Sequence, residues 1–111
     1  MRDKFWSAAS AAVAALILSS CSTSYLIRGE GGTSCAMVVE RLRAQPEYRG
    51  YYEAWLLGYL THYNYQNQKK LGSGFDNATL LSTATQYCEK NPLHDFSIAA
   101  EAVIKELEKS S

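Results

Sequence analysis

The residues of this 111-residue chain with chemistry to offer are three cysteines, two histidines and eight tyrosines. Cys21 closes the run Leu18-Ser19-Ser20-Cys21. A branched aliphatic, two small residues and a thiol form a lipobox. A lipoprotein signal peptidase needs the small residues to enter its site, and the thiol carries diacylglycerol. Plain cleavage beside Ser20 or Ser22 is the alternative. Cys35 and Cys88 remain as a second pair, with no CxxC and no Cys/His zinc spacing. His62 and His94 stand far apart in sequence, so neither a metal site nor any cofactor is expected. A Ser/His/Asp set, a Gly-rich phosphate loop and a convincing carboxylate pair are all missing. Glu101 and Lys105 read as a solvated i, i+4 pair. Asn77-Ala78-Thr79 matches a glycosylation sequon but reads as the start of a helix. The expectation is a protein that acts by binding and not by catalysis.

The N-terminus sets the compartment. Met1 to Lys4 carries Arg2 and Lys4, and Phe5 to Leu18 is an uncharged, alanine-rich run. That run is short for a membrane span and suits the apolar part of a signal peptide, here residues 1–20. Ser22 follows Cys21, so no aspartate there would retain the protein at the inner membrane. A lipid on Cys21 would anchor the chain at the outer membrane, facing the periplasm. Residues 21–33, rich in Ser, Thr and Gly, read as lipidated cysteine and flexible tether. Past residue 20, nine Lys and Arg meet ten Asp and Glu. No basic stripe for nucleic acid or lipid headgroups is present. Export carries Cys35 and Cys88 into an oxidising compartment. A bridge between them closes a loop of about 54 residues, worth roughly 4 kcal/mol in the chain-entropy model. A domain over residues 34–109 is near the size where one core is marginal, so such a staple is expected. Two free buried thiols are the alternative.

Four helices must position these groups, and the fold class is all-α. The first runs from about Ser34 to Ala44, capped by Thr33 or Ser34, with Cys35, Val38, Val39 and Leu42 on one face. Pro46 ends it. The second runs from about Tyr48 to Tyr65. Residues 66–76 read as a loop. Asp76 caps the third helix, in which Leu80, Leu81, Ala84, Tyr87 and Cys88 share a face. Asn91-Pro92 breaks it. Asp95 caps the fourth, with Phe96, Ala99, Ala100, Val103 and Leu107 inward. Because the cysteines flank it, the second helix is expected to be central.

That helix contains YYEAWLLGYLTHYNY, Tyr51 to Tyr65, with five of the eight tyrosines. Tyrosine is a middling helix former, and mid-helix glycine costs about 1 kcal/mol against alanine. At about 100° per residue, Tyr51, Trp55, Tyr59 and Tyr63 form one ridge and Tyr52, Leu56 and Leu60 the next. Ala54 and Gly58 form a small-xxx-small pair, which suggests a notch for a neighbouring helix. His62 projects onto the aromatic side. So wide an arc either contacts several neighbours or leaves an aromatic patch exposed, and in so small a domain part of it is expected to face outward. Tyr48, Tyr51, Tyr63 and Tyr65, toward the helix ends, are the candidate partner-binding residues, with Lys69 and Lys70 in the adjacent loop. Tyr52, Trp55 and Tyr59 are expected to be core.

Three motifs stand in order: Ser34-Cys35; Tyr52-Glu53-Ala54-Trp55-Leu56-Leu57-Gly58-Tyr59; and Tyr87-Cys88 followed by Asn91-Pro92-Leu93 and an amphipathic helix. Over roughly Ser34 to Leu107 this pattern resembles the Rap/Tai immunity family, which protects bacteria from type VI secretion toxins. It is more distantly similar to the HdeA-type periplasmic acid chaperones. The resemblance implies a small orthogonal helical bundle with one disulfide, often a homodimer. In that pattern Trp55, Gly58, Tyr59, Asn91 and Pro92 look structural. Three functions follow as expectations. The first is occlusion of a secreted effector, typically a cell-wall hydrolase, by an aromatic surface. The second is an acid-activated holdase. The third is a structural envelope lipoprotein. The lipobox sets this chain apart from the secreted chaperones, and the membrane is expected to be met only through the N-terminal lipid.

Overall fold

The computed structural model describes residues 25–110, so the expected signal peptide over residues 1–20 and the expected lipidation site Cys21 lie outside the described residues. Among the described residues the chain forms four α-helices: α1 (Cys35–Ala44), α2 (Arg49–Asn67), α3 (Asn77–Lys90) and α4 (Phe96–Ser110). Short 3-10 turns, Gly29–Gly32 and Pro46–Tyr48, precede α1 and α2. No strand is present among these residues; a single bridge joins Ser34 to Asp95. The all-α expectation holds.

Caps set the helix starts. Ser34 accepts from the Met37 amide at 3.3 Å, and Asp76 accepts from Thr79 at 2.7 Å. Asp95 takes the Ile98 amide at 3.2 Å and the Ser97 hydroxyl at 2.5 Å. Each side chain satisfies amides that a helix start leaves unpaired. Asn91 and Pro92 also serve α1, which sequence spacing alone does not reveal. The turn after α3 turns its carbonyls onto the first amides of α1: Cys35 donates to His94 at 2.7 Å and Ala36 to Pro92 at 3.1 Å. The Asn91 side chain closes the end of α3 through the Tyr87 carbonyl at 3.0 Å. The motif therefore splices the end of one helix to the start of another.

Cys35 and Cys88 are bonded, with Cα atoms 4.6 Å apart and a sequence separation of 53. Both are fully buried. They pin α1 to α3 beside the splice just described.

The centre of the core is α4 and not the aromatic helix. Its sequence FSIAAEAVIKELEKS is the most apolar of the four helices, and it packs against all three others. Phe96, Ala99, Ala100, Val103, Ile104 and Leu107 are buried along it. The alanines let neighbours approach closely, and each large side chain contributes about 1.5–3 kcal/mol through burial. By contrast, α2 buries only Tyr52, Leu56 and Leu60. The cysteine positions suggested a central second helix, but the apolar content of α4 decides the matter. Among the described residues, no helix is long and apolar enough to cross a membrane.

The tether expected through Thr33 is corrected at its C-terminal end. Residues 29–32 form a 3-10 turn seated on Trp55, and Gly31 is buried there. The indole Nε1 donates to the Arg28 carbonyl at 2.8 Å, and the Phe96 amide donates to the Thr33 carbonyl at 2.9 Å. The glycines that suggested flexibility instead permit close approach to a flat ring.

Candidate protein-binding face

Helix α2 divides into three sides. The inner side is Tyr52, Leu56 and Leu60. The Tyr52 ring meets Phe96 edge-on at 5.2 Å, and its hydroxyl accepts from Arg41 at 3.2 Å, so a fully buried phenol keeps a partner. The second side is the half-buried row Trp55, Tyr59 and Tyr63. Trp55 stacks on Tyr59 at 5.5 Å and tilts on Phe96 at 5.9 Å. Partial burial, and then the Glu101 carboxylate, raise the Tyr59 phenol above its ordinary value.

The third side faces outward: Gly50, Tyr51, Ala54, Gly58, Thr61, His62 and Tyr65. Tyr51 is 61% exposed and Tyr65 73% exposed. They sit seven residues either side of Gly58, nearly in line on an ideal helix and about 21 Å apart. None of these side chains is a carboxylate, a lysine or an arginine. A solvated helix face ordinarily carries such charges.

Two expectations about this side change. Among the described residues no helix fills the Ala54–Gly58 notch: both residues are exposed, and a Cβ on Gly58 would meet nothing within 4 Å. His62 is exposed and not on the packed aromatic side. Its position lies just past Trp55 in projection, on the solvent edge.

The candidate partner-binding residues separate into two groups. Tyr48 is half-buried, with Arg41 over its ring at 5.3 Å and Tyr51 at 5.9 Å. Tyr63 and Lys69 both reach Glu108 of α4, at 3.1 and 2.9 Å, and Lys69 lies over the Tyr63 ring at 5.8 Å. This clamp ties the end of α2 to the end of α4. Lys69 and then Tyr63 hold the Glu108 carboxyl below its ordinary value, and the same carboxylate raises Lys69. Tyr51, Tyr65 and Lys70 are the exposed remainder. Tyr65 and Lys70 also border one shallow surface depression with Asn64, Gln68 and Lys69.

Asn64 is a positioning residue that periodicity did not single out. Its side-chain amide accepts from Leu71 N at 3.0 Å and donates to Leu71 O at 3.1 Å. That pairing folds residues 68–75 back on α2 and sets Lys70 beside Tyr65. A polar residue in a helix next to a Gly-containing loop was the available signal. Tyr87, grouped with the α3 core positions, is half-buried and pairs through its hydroxyl with His94 Nδ1 at 2.8 Å.

No family model, no curated protein and no solved structure matches this chain.

Proposed function

We propose that this is an exported lipoprotein that binds a secreted protein toxin and neutralises it by occlusion, in the manner of the Rap/Tai immunity proteins it resembles. The partner class is an effector acting in the periplasm, typically a cell-wall hydrolase. The observation that supports the reading is the outer side of α2. An uncharged strip bounded by Tyr51 and Tyr65, with Gly58 midway, offers rigid aromatic contact area at little rotamer cost. The small residues between the rings let a partner segment lie close to the helix. Lys70 supplies a charged rim. Catalytic groups play no part; the rings fill the effector's substrate groove and exclude substrate.

The test is capture from periplasmic extract at neutral pH, using the mature chain with its disulfide intact. One stoichiometric partner whose hydrolase activity disappears on binding supports the reading. Capture that survives Tyr51→Ser together with Tyr65→Ser refutes the face. A second reading, the acid-activated holdase, draws on the Lys69–Glu108–Tyr63 clamp, which protonation of Glu108 would release. Suppression of client aggregation in strong acid, with no partner at neutral pH, reverses the order of the two.

A further inference from the structure

The segment that leads from Cys21 into the fold ends in exposed apolar side chains. Tyr25 is 78% exposed and Leu26 is 73% exposed. They border a groove of about 230 Å³ with Ile27, Trp55 and Tyr59. Behind them the chain is fixed to the domain. Trp55 Nε1 holds the Arg28 carbonyl at 2.8 Å, and Gly31 is sealed beneath the indole. Ahead of them the chain is short: Tyr25 is four positions after Cys21.

We propose that Tyr25 and Leu26 are a membrane-docking edge, which seats the domain against the lipid bilayer in one orientation. The proposal rests on the lipoprotein reading of Cys21. Four residues, fully extended, span at most about 14 Å. The headgroup layer of one leaflet is about 5–8 Å thick. A Cys21 whose acyl chains lie in the hydrocarbon therefore brings Tyr25 to the headgroup layer or just above it. Tyrosine is suited to that layer, with its ring toward the lipid and its hydroxyl toward water. Leu26 beside it gains by leaving water, and Arg28 brings a cation two residues on. Glu101 also lines the groove, but its charge is paired with Lys105 at 3.7 Å.

Residues 28–33 form a strap across Trp55, which removes the freedom that a tether would give. Because residues 28–33 are bonded to Trp55 and Phe96, an anchor at Cys21 holds the Trp55–Tyr59 flank of α2 toward the bilayer. The line through Gly58 on the outer side of α2 lies about 60° around the helix from Trp55 and about 100° from Tyr59. It stays open to the periplasm, where a partner would come from. The docking edge and the partner face are thus separate surfaces of one helix region.

Trp55 is a built-in probe, because the chain's other tryptophan, Trp6, lies in the signal peptide. The lipidated protein is reconstituted into phosphatidylethanolamine and phosphatidylglycerol vesicles with a fraction of headgroup-spin-labelled lipid. Mass spectrometry first establishes the lipid on Cys21. The expected result is Trp55 fluorescence quenched severalfold more strongly than in Tyr25→Ser/Leu26→Ser. Both substitutions fall on exposed side chains, and circular dichroism and the intact disulfide confirm the fold. Equal quenching in the two proteins, or none in either, overturns the docking edge while leaving lipidation standing. An unmodified Cys21 overturns the lipoprotein reading, and the proposal falls with it, by a different measurement.

Discussion

Gly31→Ala tests whether the strap is part of the folded domain. A Cβ built on Gly31 falls 2.5 Å from the Trp55 Cε2 and Cη2 atoms, and closer still to Cζ2. Ordinary carbon contacts lie at about 3.5–4.0 Å, so the ring or the strap must retreat by more than 1 Å. The ring is poorly placed to move. It stacks on Tyr59, rests on Phe96 and donates to the Arg28 carbonyl. Forcing a methyl into such packing costs about 1–3 kcal/mol. For a domain of this size each kcal/mol lowers Tm by about 4–8 °C, so the expected drop is roughly 4–24 °C. The alternative response is that the strap peels away, which caps the cost at the strap's own docking energy. Trp55 emission separates the two: peeling exposes the indole and shifts emission to the red well below the unfolding transition. Gly32→Ala is the matched control, because its Cβ would meet atoms no nearer than 3.9 Å. The reasoning is refuted if both variants melt within about 1 °C of wild type with unchanged emission, since a real clash costs several degrees.

Further outcomes follow from the same contacts. Replacing Cys35 and Cys88 together by serine should lower stability by about 4 kcal/mol, read as a fall in denaturant midpoint, because a long closed loop is released in the unfolded chain. Gly58→Ala should raise stability by up to about 1 kcal/mol, since the site is an exposed helix interior with open space around it. Gly58→Leu should likewise hold or raise Tm yet block capture of a partner seated on that side, measured in the same capture assay. In acid, Glu108 and Asp76 set the direction. Lys69 and Tyr63 lower the Glu108 value; the Thr79 hydroxyl and amide lower that of Asp76. Their contribution is present above the ordinary carboxylate range of about 4 and is lost as pH falls through their lowered values. Glu108→Gln should flatten the acid limb of a Tm-against-pH curve, and an unchanged limb would mean the clamp is unimportant.

The fold was legible where periodicity and capping chemistry act locally. Ser34, Asp76 and Asp95 cap the helices they were expected to cap. The disulfide was legible because the small size of the domain and the expectation of export both favour a staple. What escaped depends on contacts between distant segments. Glycines at 29, 31 and 32 looked like a tether, because composition alone cannot distinguish a free chain from one flattened against a ring. Gly58 looked like a notch for a helix of the fold, because spacing shows which residues are small and not which side faces inward. Tyr63 and Lys69 looked available, because their partner Glu108 is 45 and 39 residues away in sequence.

The tyrosine load of α2 now divides by side. A helix that packs one ridge needs only Tyr52, Leu56 and Leu60, and propensity would fill the rest with alanine, lysine and glutamate. Trp55 and Tyr59 are accounted for by the strap, which needs a flat ring to cover Gly31. Tyr63 is accounted for by its bond to Glu108. Those contacts leave out Tyr65, and leave Tyr51 with only its ring contact to Tyr48: neither stabilises the inner packing, and each exposes ring surface to water. Nor does helix formation favour them, since both alanine and lysine would serve α2 better at an exposed position. Residues that cost something in the free protein need a compensating contact elsewhere. On the function proposed above, that contact is with a partner along the outer side of α2, and the glycine midway between the two rings is where it would approach most closely.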